Sequence, residues 1–402
     1  MRRMVFWCAV SVLLGFPGRA HAGGVETLRT DLETLCGYHG RGNGTPDLEQ
    51  ALSYVETRFR ELGVAPATGE TFRQNFPGPG GDTLVNLIGI IGNRNAERHV
   101  VLAAHVDHLG RGVPGEANHG TVHPGADDNA SGVAALLEIA GVLRKEAPSR
   151  AVLVLVFSGE EIGLLGSAYY VAHPVLPLEQ CTAMVNLDTV GRMSKKTLTV
   201  FGSSTAMELP NVLQGVNVGF GLNLVLPEQD PGGSDQASFG KTGIPALHVF
   251  TGANADYHRP SDTPDRVNLE GLEQVAGFAA ELTLYLADRQ DPLTFVPPGA
   301  THAAPPPAPA DRGERRVSFG SIPDFNHQGK GTLLSGVIPG SPASEAGLRA
   351  GDLIVVFAEV EIEDLRSFSD VLRGLSPGDA VTVVFERDGE RHTVASSVVE
   401  RK

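Results

Sequence analysis

Four apolar segments of this chain each lead into a residue that can bind a metal ion or act beside one. Residues 100–104 precede His105, residues 151–157 precede Glu160 and Glu161, residues 181–187 precede Asp188, and residues 245–251 lead through a short loop to His258. Apolar runs of this length are typical of strands buried on both faces of a parallel sheet. Because open α/β sheets bind ligands at the carboxyl ends of their strands, the four endings predict a single site.

Helical segments alternate with these strands. Apolar residues recur at three- and four-residue spacing in residues 132–144, 162–172 and 267–287, and again in residues 25–62 ahead of Gly63. Residues 71–74 and 84–91 are two further predicted strands. The alternation predicts an α/β fold with a doubly wound, mostly parallel sheet.

The length and composition of the chain indicate two domains. Its 402 residues exceed one ordinary domain. Residues 292–315 are rich in proline and alanine, a composition that favours extended conformations and cannot bury a core. We therefore predict a linker over residues 292–315, between a first domain of residues 23–291 and a second domain of residues 316–402.

The first 22 residues have the features of a secretory signal peptide. Arg2 and Arg3 precede an apolar stretch over residues 5–16, and Ala20–His21–Ala22 is a cleavage site. A transmembrane anchor is the alternative, but the stretch is too short to span a bilayer. We expect an exported protein, periplasmic or extracellular, with no membrane span after cleavage.

Cleavage of this segment would change the charge and the cysteine content of the chain. It takes the formal charge from −15 to −18, which disfavours nucleic acid as a partner. Cys36 and Cys181 are left in a compartment that permits oxidation. The sequence is compatible with a disulfide between them and with two free thiols.

The residues that follow the strands have the chemistry of a two-metal hydrolytic site. Zn²⁺ in catalytic sites is bound by imidazole nitrogen and carboxylate oxygen, with a position left open for water. His105 and Asp188 are assigned to one ion, Glu161 and His258 to the other, and Asp127 to the bridge between them. A helix cap is the alternative role for Asp127.

Three further residues are assigned to catalysis. Asp107 is expected to accept the proton on the second ring nitrogen of His105 and so fix its tautomer. Glu160 is expected to take a proton from the shared water and pass it to the leaving amine. Tyr257 is the expected donor to the oxyanion, and an aromatic side chain packed at the rim is the alternative.

Five motifs in order resemble the zinc aminopeptidase family that includes the bacterial leucyl aminopeptidases, to which glutamate carboxypeptidases and glutaminyl cyclases are related. The motifs are His105–x–Asp107, residues 125–132, residues 158–167, Asn186–Leu187–Asp188, and Tyr257–His258–x–x–Ser261–Asp262–Thr263. The resemblance covers residues 25–291. It implies a phosphorylase/hydrolase-like α/β fold, two Zn²⁺ per chain and the ligand roles given above.

The resemblance also implies a cis peptide bond between Asp127 and Asp128. The chain departs from the family at Gln236, where members often have His, and at Thr189, where they often have a larger apolar residue. These departures concern substrate preference. Glutaminyl cyclases tend to work with one zinc, so cyclisation is a minor alternative.

Residues 339–354 resemble the centre of a bacterial PDZ domain, a small β-rich fold, and the match spans residues 316–402. Strands over residues 317–319 and 331–337, a helix over residues 365–372 and a hairpin turning at Asp388–Gly389 are predicted. PDZ domains bind an extended peptide as an added strand and capture its terminal carboxylate. Gly331, Thr332 and Leu333 form the predicted carboxylate-binding loop, and a spacer without a ligand is the alternative.

These observations predict an exported two-zinc aminopeptidase that acts on peptides with a free amino terminus and has a PDZ domain for a C-terminal peptide or a partner protein. A carboxypeptidase or dipeptidase is an alternative, because a site that activates water does not by itself select which end of a peptide enters. An inactive peptidase-like protein that acts through peptide binding is another.

Overall fold

The structure is a computed structural model that describes residues 24–112, 118–297, 316–324, 327 and 329–400. The predicted signal peptide and most of the predicted linker lie outside the described residues. None of the helices in the described part is long and apolar enough to cross a membrane.

The first unit contains seven α-helices and nine strands among its described residues. The helices are α1 Val25–Cys36, α2 Pro46–Glu61, α3 Gly132–Glu146, α4 Leu165–Ala172, α5 Leu209–Asn217, α6 Gln236–Gly240 and α7 Leu269–Asp288. The strands are β1 Ala65–Pro66, β2 Arg73–Pro77, β3 Thr83–Ile91, β4 His99–His105, β5 Ala151–Phe157, β6 Cys181–Leu187, β7 Thr197–Phe201, β8 Asn223–Val225 and β9 Ala246–Phe250.

All nine strands form one sheet, in the order β1-β3-β5-β4-β6-β9-β7-β8, with β2 paired to β3. The central strands β5, β4, β6 and β9 are parallel, whereas β3 pairs antiparallel with β5 and β7 pairs antiparallel with β9. The predicted α/β class and its parallel centre are confirmed, and the complete sheet is mixed. Parallel pairing brings the carboxyl ends of the four central strands to the same edge.

Successive residues of a central strand face opposite sides of the sheet. On β4, Val100, Leu102 and Ala104 belong to the core that contains residues of α1, α3 and α7. Val101 and Ala103 belong to the core that contains residues of α4 and α6. Burial on both faces explains why these strands are continuous apolar runs in the sequence.

The helical pattern over residues 25–62 is divided into α1 and α2 by the loop of residues 37–45. Thr45 caps α2, since its side chain accepts a hydrogen bond from the Leu48 amide, and Pro46 occupies the first turn. A second difference concerns the predicted helix over residues 162–172, which begins only at Leu165. Left-handed φ angles at Gly163 and Leu164 keep the segment after Glu161 in a turn.

The two cysteines of the described residues, Cys36 and Cys181, are free thiols and form no disulfide with each other.

The second unit is a small β structure with its own core. Its strands are β10 Val317–Ser318, β11 Ser321–Pro323, β12 Thr332–Val337, β13 Leu353–Phe357, β14 Val360–Glu361, β15 Ala380–Arg387, β16 Glu390–Ser397 and β17 Val399–Glu400, and its helices are α8 Pro342–Glu345 and α9 Leu365–Gly374. The main sheet has the order β11-β12-β13-β15-β16. The predicted helix and hairpin are confirmed.

The structure corrects the predicted carboxylate-binding loop. Thr332 and Leu333 lie in β12, where they pair with Ile354 and Leu353 of β13. The Gly331 amide donates to the Glu363 carbonyl, and the Leu333 carbonyl accepts from the Asp324 amide. Because β12 has a strand on each side, its backbone is not free to bind an added strand. In the described sheet β11 is the end strand on that side.

Candidate metal centre

Side chains at or after the ends of four strands, and one from a turn, meet at the carboxyl edge of the parallel strands. His105 ends β4, Glu160 and Glu161 follow β5, Asp188 follows β6, and His258 lies in the loop after β9. Asp128 comes from the turn ahead of α3. The edge predicted from the sequence therefore brings together four of the five predicted ligands, and Asp128 lies among them.

These side chains form two groups that share Asp128. In the first group, Nε2 of His105 lies 3.4 Å from Oδ1 of Asp128 and 3.4 Å from Oδ1 of Asp188. In the second group, Nε2 of His258 lies 3.0 Å from Oδ2 of Asp128 and 3.0 Å from Oε2 of Glu161. The two oxygens of Asp128 thus face different imidazoles, which is the arrangement of a carboxylate between two cations.

The residues fit a pair of divalent cations. Nε2 of His105 and Nε2 of His258 are buried and have no hydrogen-bond partner. Imidazole and carboxylate ligands suit Zn²⁺, and the possible ligand atoms of each group lie within 4.8 Å of one another. His108 is a further member of the second group. Burial alone would lower the pKa of His105, but Glu160 and Asp188 outweigh it and raise that pKa. The surplus of negative charge therefore favours cations in this centre.

The structure corrects the assignment of Asp127 as the bridging carboxylate. Asp127 points away from both groups, and its Oδ1 accepts from the Gly191 amide at 2.7 Å while its Oδ2 accepts from Nδ2 of Asn254 at 2.9 Å. The cis peptide bond also lies one residue later than expected, between Asp128 and Asn129. Successive side chains point in different directions, so a shift of one residue exchanges which aspartate faces the site.

Asp262 holds the backbone at these two aspartates. Its carboxylate accepts from the Asp127 amide at 2.9 Å and from the Asp128 amide at 3.1 Å. Nη2 of Arg192 donates to the same carboxylate at 3.1 Å. Asp262 therefore positions the bridging residue through the main chain.

The role of Asp107 also differs from the prediction. Nδ1 of His105 lies 3.1 Å from the backbone carbonyl of Asp107 and 3.8 Å from its carboxylate, so the carbonyl is the hydrogen-bond acceptor. The carboxylate instead accepts from the Glu160 amide at 3.2 Å, the Glu161 amide at 3.3 Å and Nδ2 of Asn43 at 2.7 Å. Asp107 thus orients the two glutamates as well as His105.

Glu160 and Tyr257, the predicted base and oxyanion donor, also lie at the centre. Burial raises the pKa of Glu160, and the neighbouring carboxylate of Glu161 adds to this effect. The Tyr257 ring stacks on His258 with 3.9 Å between ring centroids. Its side chain is 50% exposed, which fits both a rim position and access to a bound molecule.

Four residues near the centre were given no role by the sequence analysis. They are His108, which contacts Glu161; Arg41 and Asn43, which bind the segments that carry the ligands; and Asp235, which is buried with both oxygens unpartnered. His108 directly follows the first motif, so its position was a usable signal. Arg41 and Asn43 gave no such signal, because they lie in a loop far away in sequence.

Comparison with known proteins places both units in families. Residues 86–283 match the family described as "Peptidase family M28", and residues 324–398 match that described as "PDZ domain". A "Probable leucine aminopeptidase" of Arthroderma otae is 31% identical over 260 residues, which cover 61% of this chain and 68% of the relative. "Aminopeptidase YwaD" of Bacillus subtilis is 30% identical over 223 residues, or 52% of this chain.

The chain spans about half the length of two of its curated relatives. The shares are 46% for the Bacillus subtilis protein and 49% for "Leupeptin-inactivating enzyme 1" of Streptomyces exfoliatus.

Solved structures share the fold of the first unit. The Legionella pneumophila LapA aminopeptidase has a TM-score of 0.56 at 24% identity, with 66% of this chain and 73% of that chain covered. A Porphyromonas gingivalis glutaminyl cyclase has a TM-score of 0.56 at 21% identity, with 65% and 98% covered. At these identities the likeness concerns the fold.

Proposed function

This chain belongs to peptidase family M28 and carries a PDZ domain, and from that premise we propose that it is an exported two-zinc aminopeptidase that removes residues from the amino terminus of peptides. The observation that carries the proposal is the pair of ligand groups that share Asp128. His105, Asp128 and Asp188 would hold one ion, and His258, Glu161 and Asp128 the other. Two such cations would polarise the scissile carbonyl and lower the pKa of a water molecule.

Glu160 is the general base in this proposal. It accepts a proton from the attacking water and then donates it to the amine that leaves. The Asp107 carboxylate holds the Glu160 amide and so fixes the segment on which the base lies. A pKa raised by burial suits this role, because a carboxylate with a raised pKa takes up a proton more readily.

Tyr257 is the donor that stabilises the oxyanion. Its partial burial and the carboxylates of Asp128 and Glu161 raise the pKa of its hydroxyl, so the hydroxyl keeps its proton and can donate it in a hydrogen bond. Its stacking on His258 holds the ring beside the centre, and its exposed part faces incoming substrate.

The choice of the amino terminus rests on the relatives, several of which are named aminopeptidases. Export rests on residues 1–22, where a basic start, an apolar stretch and an Ala-x-Ala site are those of a signal peptide. We place the peptide-binding edge of the PDZ domain at β11, because PDZ domains take a peptide as an added strand and β11 is the end strand of its sheet.

The proposal predicts two zinc ions per chain and chelator-sensitive hydrolysis of substrates with a free amino terminus. Zinc is counted in the purified protein, and aminoacyl substrates with free and acetylated amines are compared before and after chelation. Glu160→Gln should keep both ions and lose at least about 100-fold in turnover, since general-base catalysis contributes about 10²- to 10⁴-fold.

Other results would point to other functions. Cleavage of the acetylated substrates would favour a carboxypeptidase or an endopeptidase. Absence of both zinc and cleavage would favour an inactive protein that acts through its PDZ domain. Normal turnover by the Glu160→Gln variant would contradict the assignment of the base.

A further inference from the structure

We propose that His108 is a positioning residue that binds one carboxylate oxygen of Glu161 and so leaves only the other oxygen for a metal ion. The inference rests on the proposed function, because it assumes that the centre holds metal. It concerns a residue that lies outside the five ligands and outside the catalytic assignments given above.

The two oxygens of Glu161 have different partners. Oε1 lies 2.6 Å from Nδ1 of His108, whereas Oε2 lies 3.0 Å from Nε2 of His258. His258 also lies 3.0 Å from Asp128, and His108 is farther from that residue, at 3.9 Å. Oε2 therefore faces the shared centre, and Oε1 is turned toward His108.

His108 lies within the second group of possible ligands, and the surroundings of its two ring nitrogens favour a donor over a ligand. The carboxylates of that group lie nearest to Nδ1, and Nε2 is buried without a hydrogen-bond partner. If Nδ1 bound a metal ion, the ring proton would be on Nε2, and histidine ligands almost always donate that proton to an acceptor. His105 follows this rule, since its Nδ1 donates to the Asp107 carbonyl. For His108 the proton belongs on Nδ1, where Glu161 accepts it.

The fold holds the His108 ring in this position. Its backbone amide donates to the Arg41 carbonyl at 3.1 Å, and the ring packs against Gly125. A Cβ on residue 125 would lie 2.5 Å from Cδ2 of the ring, so only glycine allows this approach. His258 also meets the ring edge-on, at 5.6 Å between centroids. These contacts hold the ring with Nδ1 directed at Glu161.

A carboxylate held in this way would offer one oxygen to a cation and not two. One oxygen of Glu161, His258 and Asp128 would then hold the cation and leave a coordination position free, as catalytic sites require. His108 also orders the carboxylate before metal binds, which favours binding. Loss of a hydrogen-bond partner behind a metal ligand typically reduces metal affinity by about 10- to 100-fold.

The test compares zinc binding in the full-length protein and three variants. His108→Leu removes the donor, and His108→Asn places an amide N–H close to the position of Nδ1. His119→Leu is the matched control, because it removes an exposed histidine from the loop that follows. Zinc content is measured at saturation, and dissociation constants are measured by competition with a chelator of known affinity.

We expect all four proteins to bind two zinc ions at saturation. In His108→Leu one of the two affinities should fall by about 10- to 100-fold, and His108→Asn should recover most of this loss. His119→Leu should match the wild type. Circular dichroism of each protein controls for folding, and the Asn variant keeps the test valid if the Leu variant does not fold.

Three results would overturn the proposal. A single zinc ion in both His108 variants at saturation would make His108 a ligand. Two unchanged affinities in both variants would show that the contact with Glu161 does not position the carboxylate. A wild-type protein that binds no zinc would overturn the proposed function as well, which distinguishes that failure from the other two.

Discussion

At the scale of single residues, two adjacent aspartates have opposite roles. Asp128 has its oxygens 3.4 Å and 3.0 Å from two imidazoles, and Asp127 accepts hydrogen bonds from Gly191 and Asn254. Both are buried, so burial does not distinguish them. Burial and the nearby Asp262 raise the pKa of Asp127, which is a cost that its hydrogen bonds offset.

Substitution of each aspartate by asparagine should separate the two roles. Asp128→Asn should reduce zinc at saturation below two ions per chain, because an amide cannot supply two anionic oxygens to two cations. Asp127→Asn should keep both ions and lower the free energy of unfolding by about 1–3 kcal/mol. Its side-chain NH₂ group would face the N–H of Gly191 or of Asn254, and two donors cannot form a hydrogen bond. Zinc analysis and urea unfolding of the metal-free proteins measure the two effects. The opposite pattern would restore Asp127 as the bridge.

At the scale of elements, the loop of residues 37–45 between α1 and α2 supports the metal centre. Arg41 is fully buried and donates to four carbonyls, those of Leu35, Val106, Pro124 and Gly125, at 2.7–3.1 Å. Val106 adjoins His105, and Gly125 precedes the turn that carries Asp128. One side chain therefore connects two of the three segments that supply the first ligand group with the end of α1.

Arg41→Met should be strongly destabilising, because it leaves buried carbonyls without donors. Each such group costs about 1–3 kcal/mol, so we expect a loss of at least about 3 kcal/mol in the free energy of unfolding. Arg94→Met is the control. Arg94 also donates to backbone carbonyls, those of Pro66 and Ala67, but it is exposed, and water can replace it.

For the exposed Arg94 we expect a change of about 0.5 kcal/mol or less. Urea unfolding in the presence of chelator measures both variants, so that metal binding does not contribute. Equal effects of the two substitutions would contradict the supporting role of Arg41.

The sequence predicted the elements whose evidence is local. The strand that ends at His105 and the strand that precedes Asp188 are apolar runs buried on both faces, and α3 and α7 have clear helical periodicity. The choice between Asp127 and Asp128 was not predictable, because it depends on the Asp262 carboxylate, 134 positions from Asp128 in the chain. The role of Arg41 was not predictable either. Its partners are backbone carbonyls, which every residue has, so the sequence does not show which of them it binds.

At the scale of the whole molecule, the two units have separate cores and different kinds of binding surface. The candidate metal centre of the first unit lies at a strand edge where side chains converge, and the second unit has a sheet whose end strand is β11. The prediction of a carboxylate-binding loop at residues 331–333 was wrong. It relied on a glycine, which is typical of such loops, whereas the sheet order places β12 between β11 and β13. Which strand is outermost follows from pairing, and single-sequence patterns do not encode pairing.

The PDZ assignment predicts binding of peptides that end in a free carboxylate. Full-length Glu160→Gln protein is titrated with labelled, amino-acetylated peptides that end in a carboxylate or an amide, so that the peptidase centre does not consume them. We expect the amide form to bind at least about 10-fold more weakly, a difference of about 1.4 kcal/mol. Fluorescence anisotropy measures the binding.

A substitution in β12 is the control for this experiment. Thr332→Val replaces a buried hydroxyl that has no hydrogen-bond partner, and it should leave peptide affinity unchanged. Equal binding of the two peptide forms would contradict carboxylate capture. Loss of binding in Thr332→Val would return the binding site to residues 331–333.

The support that Arg41 and Asn43 give to the centre also bears on where a gene could be cut. A fragment that encodes residues 86–283, the extent of the family match, contains His105, Asp128, Glu161, Asp188 and His258. It lacks α1, α2 and the loop between them, and therefore the groups that hold Val106, Gly125 and Asp107 in place. The family match is therefore shorter than the fragment needed to form the centre. A gene fragment that keeps the centre has to include the residues from α1 onward.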